Sequence, residues 1–396
     1  MKHNNLKEKA IQLHRDHSGK IEVVSKVEIN SEAELSLVYT PGVGDVCKEI
    51  EKKPHEINNL TSRGNMVAVV TDGTAVLGLG DIGPGAAMPV MEGKCMLFKN
   101  FANIDAFPIC LDTKNVDEIV AIVKALQPTF AGINLEDISA PRCFEIEDRL
   151  KNDLDIPVFH DDQHGTAIVV LAGLLNGLKV VGKQMKAVKI VINGAGAAGI
   201  SIAKLLLHAG FTNITLVSLE GVVNKSEDWL NPSQQQIAMV TNKENIQGTL
   251  KDAIIEADVF IGVSGPAALK TEHVKSLAKD PIVFAMANPI PEIYPEEALA
   301  AGAKVVGTGR SDYPNQINNL LAFPGIFRGA IDSGASDITT EMKIAAAYAI
   351  ANVIPENELN SSYIIPNALN KEVPKVVAEA VAKSALKEDR VTVKSS

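Results

Sequence analysis

The stretch Val188–Gly210, VKIVINGAGAAGISIAKLLLHAG, decides the fold predicted for this chain. An apolar, strand-like run over Val188–Ile192 meets the loop Gly194–Gly199, and a helical pattern follows over Ile200–His208. A GxGxxG loop that closes a strand and opens a helix is typical of dinucleotide-binding βαβ units. A second strand-like run, Ile214–Val217, completes such a unit. We therefore predict a dinucleotide site, with an ordinary glycine-rich turn as the alternative.

Each glycine of this loop has its own part in such a site. Gly194 can take the tight turn, Gly196 lets a pyrophosphate approach the backbone, and Gly199 lets the helix pack closely on the strand. The positive end of the helix dipole then faces the phosphates. The residues assigned to the cofactor are Gly194, Ala195, Gly196, Ala197, Ala198, Gly199 and, after the second strand, Ser218.

Length and composition indicate a globular protein of two or three domains. The chain has 396 residues, of which 46% are hydrophobic and 22% charged. Its net charge is −10 and it has no basic stretch, so we expect no nucleic-acid partner. The N-terminus shows no secretory signal, and the longest apolar run, Ala167–Leu175, is far shorter than the ~20 residues of a membrane span. We expect a cytoplasmic protein without a membrane partner.

The cysteine pattern agrees with that location. Four cysteines are scattered along the chain without any CxxC pair, namely Cys47, Cys95, Cys110 and Cys143. This spacing does not support a zinc site or a disulfide framework. We expect buried, reduced thiols in a reducing compartment.

Strand and helix patterns alternate along much of the chain, which is typical of parallel sheets with helical crossovers. The predicted fold class is α/β, with a Rossmann-type doubly wound parallel sheet domain and a smaller α/β substrate domain. The expected boundary separates an N-terminal substrate and dimerisation domain (1–155) from a nucleotide-binding domain with C-terminal helices (156–396). Three local predictions are a hairpin of Met66–Val70 with Val76–Leu79, a helix Pro89–Phe98 with Pro89 in its first turn, and a helix Thr166–Leu178.

Two pairs of acidic residues carry the clearest chemical signal outside the glycine loop. Glu136 and Asp137 directly follow one predicted strand, and Asp161 and Asp162 directly follow the next. Adjacent parallel strands lie ~4.8 Å apart and end at the same sheet edge, so these carboxylates are expected to meet. Carboxylates that close repel one another unless a cation lies among them, and oxygen ligands favour Mg²⁺ or Mn²⁺. The alternative is a set of solvated acids, with Asp161 and Asp162 capping a helix at Thr166.

Lys94 and Tyr39 are two further candidates. Lys94 lies in an apolar helical pattern, where a lysine either extends its ammonium to solvent or is held in a site. Tyr39 precedes the turn-forming sequence TPGVG of Thr40–Gly44, so it is either structural or at the mouth of a site.

Taken in order, these motifs resemble the malic enzymes of the compact bacterial type, from about Leu37 to Arg328. The motifs are YTPGVG (Tyr39–Gly44), TDGTAVLGLGDIG (Thr71–Gly83), EGK (Glu92–Lys94), NLEDI (Asn134–Ile138), FHDDQHGT (Phe159–Thr166), GAGAAG (Gly194–Gly199), ANP (Ala287–Pro289) and NNLLAFPG (Asn318–Gly325). The resemblance implies oxidative decarboxylation of (S)-malate to pyruvate and CO₂ with NAD(P)⁺ and a divalent metal. It also implies a homodimer.

Carried over onto the matching positions, the resemblance implies a role for each candidate. The assigned residues are Glu136, Asp137 and Asp162 for the metal; Lys94 as general base, Tyr39 as general acid and Asp161 to steady Lys94; and Asn288 and Asn319 for the substrate. The residue types suit the reaction, because a metal that chelates the malate hydroxyl lowers its pKa and stabilises the enolate left by CO₂ loss.

Three positions depart from the family pattern. Ala75 stands where larger eukaryotic members have an arginine that contacts a substrate carboxylate, and His17–Val23 lacks the prolines expected of bacterial relatives. Ser218 stands where many relatives have an aspartate that binds the ribose hydroxyls. No arginine is present there for a 2′-phosphate and Glu220 would repel one, so we expect NAD rather than NADP.

Two other functions stay open. One is a malolactic activity, which uses bound NAD and releases lactate. The other is a catalytically silent nucleotide-sensing protein, although a sensor needs neither the lysine and tyrosine nor the three acids.

Overall fold

The computed structural model describes residues 2–388, which form two parallel β-sheets with helices packed on them. The first sheet has four strands in the order β2-β1-β3-β4, and each neighbouring pair is parallel. Its strands are β1 (Met66–Thr71), β2 (Asp105–Cys110), β3 (Gly132–Leu135) and β4 (Val158–His160). β2 lies on one side of β1 and β3 on the other, so the strand order reverses at β1. In open α/β sheets, ligands bind at the carboxyl ends of the strands at such a switch point.

The helices before and around this sheet are α1 (Lys2–His17), α2 (Glu32–Val38), α3 (Val43–Lys52), α4 (Ile57–Leu60), α5 (Pro84–Ala102), α6 (Val116–Leu126) and α7 (Arg142–Asp153). α6 begins where the Asn115 side chain accepts hydrogen bonds from two backbone N–H groups of its first turn. Together with α7 it covers one face of the sheet, and Ile119, Val123 and Ile146 are fully buried there.

The second sheet has five parallel strands in the order β6-β5-β7-β8-β9. Its strands are β5 (Lys189–Asn193), β6 (Asn213–Val217), β7 (Val259–Gly262), β8 (Ile282–Ala285) and β9 (Val305–Thr308). The helices of this half are α8 (Asp161–Val181), α9 (Ala197–Ala209), α10 (Pro232–Ala238), α11 (Leu250–Ala253), α12 (Thr271–Lys275), α13 (Pro295–Ala300), α14 (Phe323–Ser333), α15 (Thr340–Asn352) and α16 (Val373–Lys387). The strands are buried almost throughout, as expected for parallel sheets covered on both faces. The predicted α/β class with a doubly wound sheet is confirmed.

α8 joins the two sheets and forms the centre of the core. It follows β4 directly and packs against α9 and α15. By length and composition alone α8 could cross a membrane, but 67% of its most apolar 18-residue stretch is buried inside the protein. Its polar Asn176 is buried as well and donates hydrogen bonds to the carbonyl oxygens of Ala351 and Ile364 at 2.8 and 3.0 Å. α8 is therefore a core helix of this fold.

Two local predictions in the first half are wrong. The predicted hairpin strand Val76–Leu79 is a 3₁₀ turn over Leu77–Leu79, because β1 already pairs with parallel strands on both of its edges. The helix predicted to have Pro89 in its first turn begins earlier, at Pro84, and Pro89 lies inside it.

One prediction around the second acidic pair also needs correction. α8 begins at Asp161 and not at Thr166, so both acids of that pair lie in the first helical turn and do not cap a later one. β4 pairs with β3 in the first sheet, and the domain boundary near residue 155 stays a prediction. Among the cysteines, all four are free thiols, but Cys47 is exposed and not buried.

The segment before β1 lies on the surface. Among the side chains described between residues 6 and 66, none is buried. Several are large and apolar, and Val23 and Leu37 are 81% and 74% exposed. Lys20 attaches the segment to α5, since its Nζ donates a hydrogen bond to the Pro89 carbonyl oxygen at 2.6 Å. The chain therefore carries an uncovered apolar surface.

Candidate active site

Three carboxylates meet at the edge shared by β3 and β4. Glu136 and Asp137 directly follow β3, and Asp162 lies in the first turn of α8, just after β4. One oxygen atom from each lies within 4.8 Å of the other two. The backbone N–H of Asp137 donates a hydrogen bond to Asp162 Oδ2 at 2.8 Å. The structure thus brings together the three residues assigned to the metal. That a metal ion binds to them stays a prediction.

The chemistry of this cluster fits a hard divalent cation. Glu136 and Asp137 are both 4% exposed. Burial raises the pKa of Glu136 well above its usual range, and the neighbouring carboxylates add to that shift. Asp137 adopts a backbone φ of +53°, a conformation that residues other than glycine rarely adopt. The backbone N–H of Ala75 donates a hydrogen bond to the Asp137 carbonyl oxygen at 2.9 Å. Buried carboxylate oxygens held in this way are ligands that Mg²⁺ or Mn²⁺ takes.

Lys94 reaches the cluster from α5. Its Nζ lies 2.5 Å from Asp161 Oδ2 and 2.9 Å from Glu136 Oε1, and 4.2 Å from the centroid of the Phe323 ring. Lys94 is only 8% exposed, so it does not extend to solvent. Burial lowers the pKa of Lys94, but the carboxylates of Asp161 and Glu136 outweigh burial and the pKa lies above its usual range. Without a bound cation, Lys94 is therefore an ammonium ion that neutralises the acids.

Asp161 connects Lys94 to the second half of the chain. Asn319, just before α14, donates a hydrogen bond from Nδ2 to Asp161 Oδ2 at 2.5 Å, the oxygen that also binds Lys94. Burial raises the pKa of Asp161, and Lys94 opposes that shift. A Cβ at Gly165, one turn along α8, would lie 1.9 Å from Asp161 Oδ1, so glycine leaves the space that this carboxylate needs. Gly165 was missed as a candidate, although it lies within the motif FHDDQHGT.

Asn288 and Tyr39 lie outside these contacts. Asn288 follows β8, and a Cβ at Gly78 would lie 2.3 Å from its carbonyl oxygen, so the segment after β1 packs against the segment after β8. This places Asn288 beside the segment that follows β1. Tyr39 ends α2 and is 67% exposed, and no hydrogen bond described for residues 2–388 joins its side chain to Lys94 or the acids.

Two residues that position the acids were not predicted. Arg142, the first residue of α7, donates hydrogen bonds to Asp72 Oδ2 at 2.7 Å and to Thr74 Oγ1 at 3.0 Å, which ties the segment after β1 to the segment after β3. Asn134 donates to Glu136 Oε2 at 2.8 Å and orients that carboxylate. Asn134 belongs to the motif NLEDI, whereas the local sequence of Arg142 carries no signal.

A cleft of about 730 Å³ opens at the carboxyl ends of β5, β6 and β7. It is lined by residues of the glycine loop and of the β6 end, among them Gly194, Ala195, Gly196 and Ser218, and from the first half by Ala140, Pro141 and Phe144. The other assigned residues, Ala197, Ala198 and Gly199, form the first turn of α9. The structure therefore places the predicted nucleotide residues on one cleft between the two halves.

The glycines of the loop have the geometry expected of each. Gly194 has a φ of +123°, and a Cβ there would lie 2.5 Å from the Val263 carbonyl oxygen. A Cβ at Gly199 would lie 1.7 Å from the Gly194 carbonyl oxygen, whereas a Cβ at Gly196 would meet nothing within 4 Å. Gly196 thus faces open space, which is where a pyrophosphate can approach the backbone.

The end of β6 carries a negative charge. Ser218 Oγ donates a hydrogen bond to Glu220 Oε2 at 2.6 Å, and this bond lowers the pKa of Glu220. The carboxylate is exposed and stays ionised at neutral pH. Ser218, its hydrogen-bond partner, lines the nucleotide cleft, whereas Glu220 itself is not among the lining residues.

Fold and site together define a two-part α/β protein with a dinucleotide cleft beside a buried lysine–carboxylate cluster. The model of the malic enzyme N-terminal domain matches residues 18–151, and that of the malic enzyme NAD-binding domain matches residues 163–386. The chain belongs to the malic enzyme family.

Known members are similar over nearly the whole chain. The NAD-dependent malic enzyme of Geobacillus stearothermophilus is 61% identical over 93% of this chain and 77% of its own length. The bifunctional malic/malolactic enzyme of Bacillus subtilis is 58% identical over 96% of this chain and 93% of its own. The crystal structure of the NAD-dependent malic enzyme from Thermotoga maritima superposes with a TM-score of 0.91 at 50% identity, over 94% of this chain and 98% of that one.

Proposed function

We propose that this protein catalyses the oxidative decarboxylation of (S)-malate to pyruvate and CO₂ with reduction of NAD⁺, and that it requires Mg²⁺ or Mn²⁺. The observation that carries the proposal is the placement of Lys94 Nζ, 2.5 Å from Asp161 and 2.9 Å from Glu136, beside three clustered carboxylates. The similarity to the NAD-dependent enzyme of Geobacillus supports it.

The residues of this chain supply the proton transfers. Lys94 would accept the proton of the C2 hydroxyl, and a nicotinamide held by the glycine loop would supply the acceptor for the C2 hydride. Asp161 and Asn319 keep the amine in place, and Asn319 with Asn288 holds the substrate. After CO₂ is lost, Tyr39 gives a proton to C3 of enolpyruvate. The proton gained by Lys94 balances the one lost by Tyr39.

Glu136, Asp137 and Asp162 would hold the divalent cation. Such a cation lowers the pKa of a substrate hydroxyl and stabilises negative charge on the enolate. Glu136 also pairs with Lys94, so a Glu136 carboxylate committed to a cation would no longer raise the pKa of Lys94. Lys94 would then act as a base with Asp161, which still raises its pKa, as its remaining carboxylate partner.

Glu220 favours NAD over NADP. Its ionised carboxylate repels a 2′-phosphate, and Ser218 holds it at the end of β6. Relatives of both kinds exist, for example the NADP-dependent malic enzyme of Haemophilus influenzae at 48% identity. The preference therefore rests on the residues of this chain.

One assay tests the reaction, the metal and the cofactor together. EDTA-treated protein is mixed with malate and either NAD⁺ or NADP⁺, with and without Mn²⁺, and absorbance of the reduced cofactor is followed. We expect reduction only with the metal and a higher kcat/KM for NAD⁺. No metal-dependent reduction would favour a nucleotide-sensing protein, and a clear preference for NADP⁺ would overturn the cofactor assignment.

A malolactic activity is the second candidate, because the 58% identical relative from Bacillus is a bifunctional malic/malolactic enzyme. The same reaction mixtures distinguish the two. Pyruvate and NADH in equal amounts indicate oxidative decarboxylation, whereas lactate without accumulating NADH indicates the malolactic reaction.

The assembly proposed is a cytoplasmic homodimer. The surface segment before β1 exposes apolar side chains that a second copy can bury, and the four free cysteines fit a reducing compartment. Tyr39 lies on this segment, and no hydrogen bond described for residues 2–388 joins it to Lys94 of its own chain. We infer that dimerisation brings Tyr39 to the acid cluster of the other copy.

A further inference from the structure

A second cleft, of about 620 Å³, lies apart from the acid cluster and the glycine loop. Its walls come from five helices, namely α7, the first turn of α8, the middle of α9, α10 and the N-terminal turn of α15. None of the residues assigned to metal, substrate or cofactor lines it. Pro141 and Phe144 line both this cleft and the nucleotide cleft, so they form the wall between the two.

Lys343 is the unusual residue of this cleft. It lies in the first turn of α15 and is only 7% exposed, yet it lines the cavity. Among the ion pairs of residues 2–388, none joins Lys343 to a carboxylate within 4 Å. Burial lowers the pKa of Lys343 to about 7, and the nearby Lys151 ammonium adds to the shift, while Glu147 and Asp337 oppose it. Lys343 is therefore only partly protonated at neutral pH, and an anionic partner would stabilise its charged form, for which no close counter-ion is described.

Most carboxylates of the walls already have their own cations. Glu147 contacts His164 Nε2 through both oxygens, at 2.7 and 2.9 Å, and lies 3.4 Å from Lys151 Nζ. Glu145 pairs with Arg149 at 3.2 Å. These pairs leave Lys343 available to a ligand.

Two further charged side chains line the cleft, Lys204 from α9 and Asp148 from α7; both are exposed, and no ion pair within 4 Å is described for either among residues 2–388. The wall residue Arg142 pairs with Asp72 at 2.7 Å. Thr340 at the start of the 13-residue α15 adds the positive end of a helix dipole beside Lys343. Asp148 is the wall carboxylate without a described ion pair, and it opposes an anion together with the paired Glu145 and Glu147.

We propose that this cleft binds a small oxyanion, a carboxylate or a phosphate, with Lys343 as its main partner and Lys204 and the start of α15 as support. The ligand supplies the counter-charge that the buried ammonium lacks. Its location bears on function, because Gln163 and His164 of the wall directly follow the metal candidate Asp162, and α9 begins at the glycine loop. An occupied cleft therefore changes the KM for malate.

Calorimetric titration of inorganic phosphate and of succinate into metal-free protein tests the binding. We expect millimolar or tighter binding of at least one anion, and the tighter of the two identifies the ligand class. Lys343→Met should weaken it by about tenfold or more, whereas Lys371→Met, at an exposed lysine elsewhere, should not. Binding that persists in Lys94→Ala separates this cleft from the acid cluster.

Asp148→Asn gives a test of opposite sign that does not disturb a buried residue. Removing this negative charge should tighten anion binding severalfold. Equal affinities in wild type, Lys343→Met and Asp148→Asn would overturn the proposal, as would no binding of either anion; if Lys343→Met does not fold, Asp148→Asn decides. In the malate assay, the anion should shift KM in wild type and not in Lys343→Met, and an unchanged KM would overturn the link to catalysis.

Discussion

At the scale of single residues, Lys94 shows how burial and neighbouring charge compete. Burial lowers the pKa of Lys94, but Asp161 and Glu136 raise it and hold the ammonium form. The same contacts fix Nζ beside the carboxylates that we assign to the metal. The protonation state of Lys94 therefore depends on what else binds Glu136.

Lys94→Ala is expected to lower kcat by about 10²–10⁴-fold, because the variant lacks the group that accepts the hydroxyl proton. Binding of NADH, followed by its fluorescence, should be retained, since Lys94 does not line the nucleotide cleft. Lys99→Ala on the exposed side of α5 is the matched control. Undiminished turnover in Lys94→Ala would refute the assignment.

Lys343 predicts a pH dependence of stability. Its pKa is about 7 in the folded protein and 10.5 when unperturbed, so between these values the unfolded chain binds more protons than the folded one. The free energy of unfolding then rises with pH across this window, by at most about 1.4 kcal/mol per pH unit.

Urea unfolding of wild type and Lys343→Met between pH 7 and 9.5 measures this effect. The stability of wild type relative to the variant should increase with pH, because the methionine side chain of the variant has no proton to lose. A difference that does not change with pH would contradict the buried, partly neutral amine.

At the scale of elements, two glycines of the loop have different functions: Gly199 allows close packing of the backbone, and Gly196 leaves space for a ligand. Gly199→Ala places a Cβ 1.7 Å from the Gly194 carbonyl oxygen, and overpacking of this kind costs about 1–3 kcal/mol. We expect its Tm to fall by several degrees. Gly196→Ala adds a Cβ in open space and should keep its Tm, while its KM for the cofactor rises. Thermal melts and cofactor kinetics on the pair test this, and equal Tm values would contradict it.

The elements also show where local patterns mislead. The run at Val76–Leu79 is apolar enough for a strand, but β1 has no free edge because β2 and β3 occupy both sides. α8 begins five residues before the predicted start at Thr166, since the turn at the end of β4 leads straight into the helix. Strand pairing and helix starts thus depend on which elements lie next to each other in space, and the periodicity of the local sequence does not show this.

At the scale of the whole molecule, the uncovered segment before β1 predicts a shared site. If Tyr39 and Lys94 of one site come from different chains, a heterodimer of Tyr39→Phe and Lys94→Ala has one site with neither change. Such a heterodimer, purified with two different tags, should recover about half of the wild-type activity. Each variant homodimer is the control, and a heterodimer no more active than they are would place both residues in one chain. Sedimentation should show a dimer.

The sequence by itself determined the α/β class, the glycine loop with its three distinct glycines, and the acidic residues at two strand ends. These features depend on residues close together in the chain, where periodicity and turn chemistry act. Ordered motifs added the family resemblance and, through it, the roles that we propose for Tyr39, Lys94, Asn288 and Asn319.

Only the tertiary structure decided how those residues meet. Lys94 and Asn319 both bind Asp161 across 67 and 158 residues of chain, and Arg142 ties Asp72 in place across 70. The cleft around Lys343 likewise joins five helices from both halves of the chain. Contacts of this kind depend on how distant elements pack and on the charges that packing buries together, and neither is written in the local sequence.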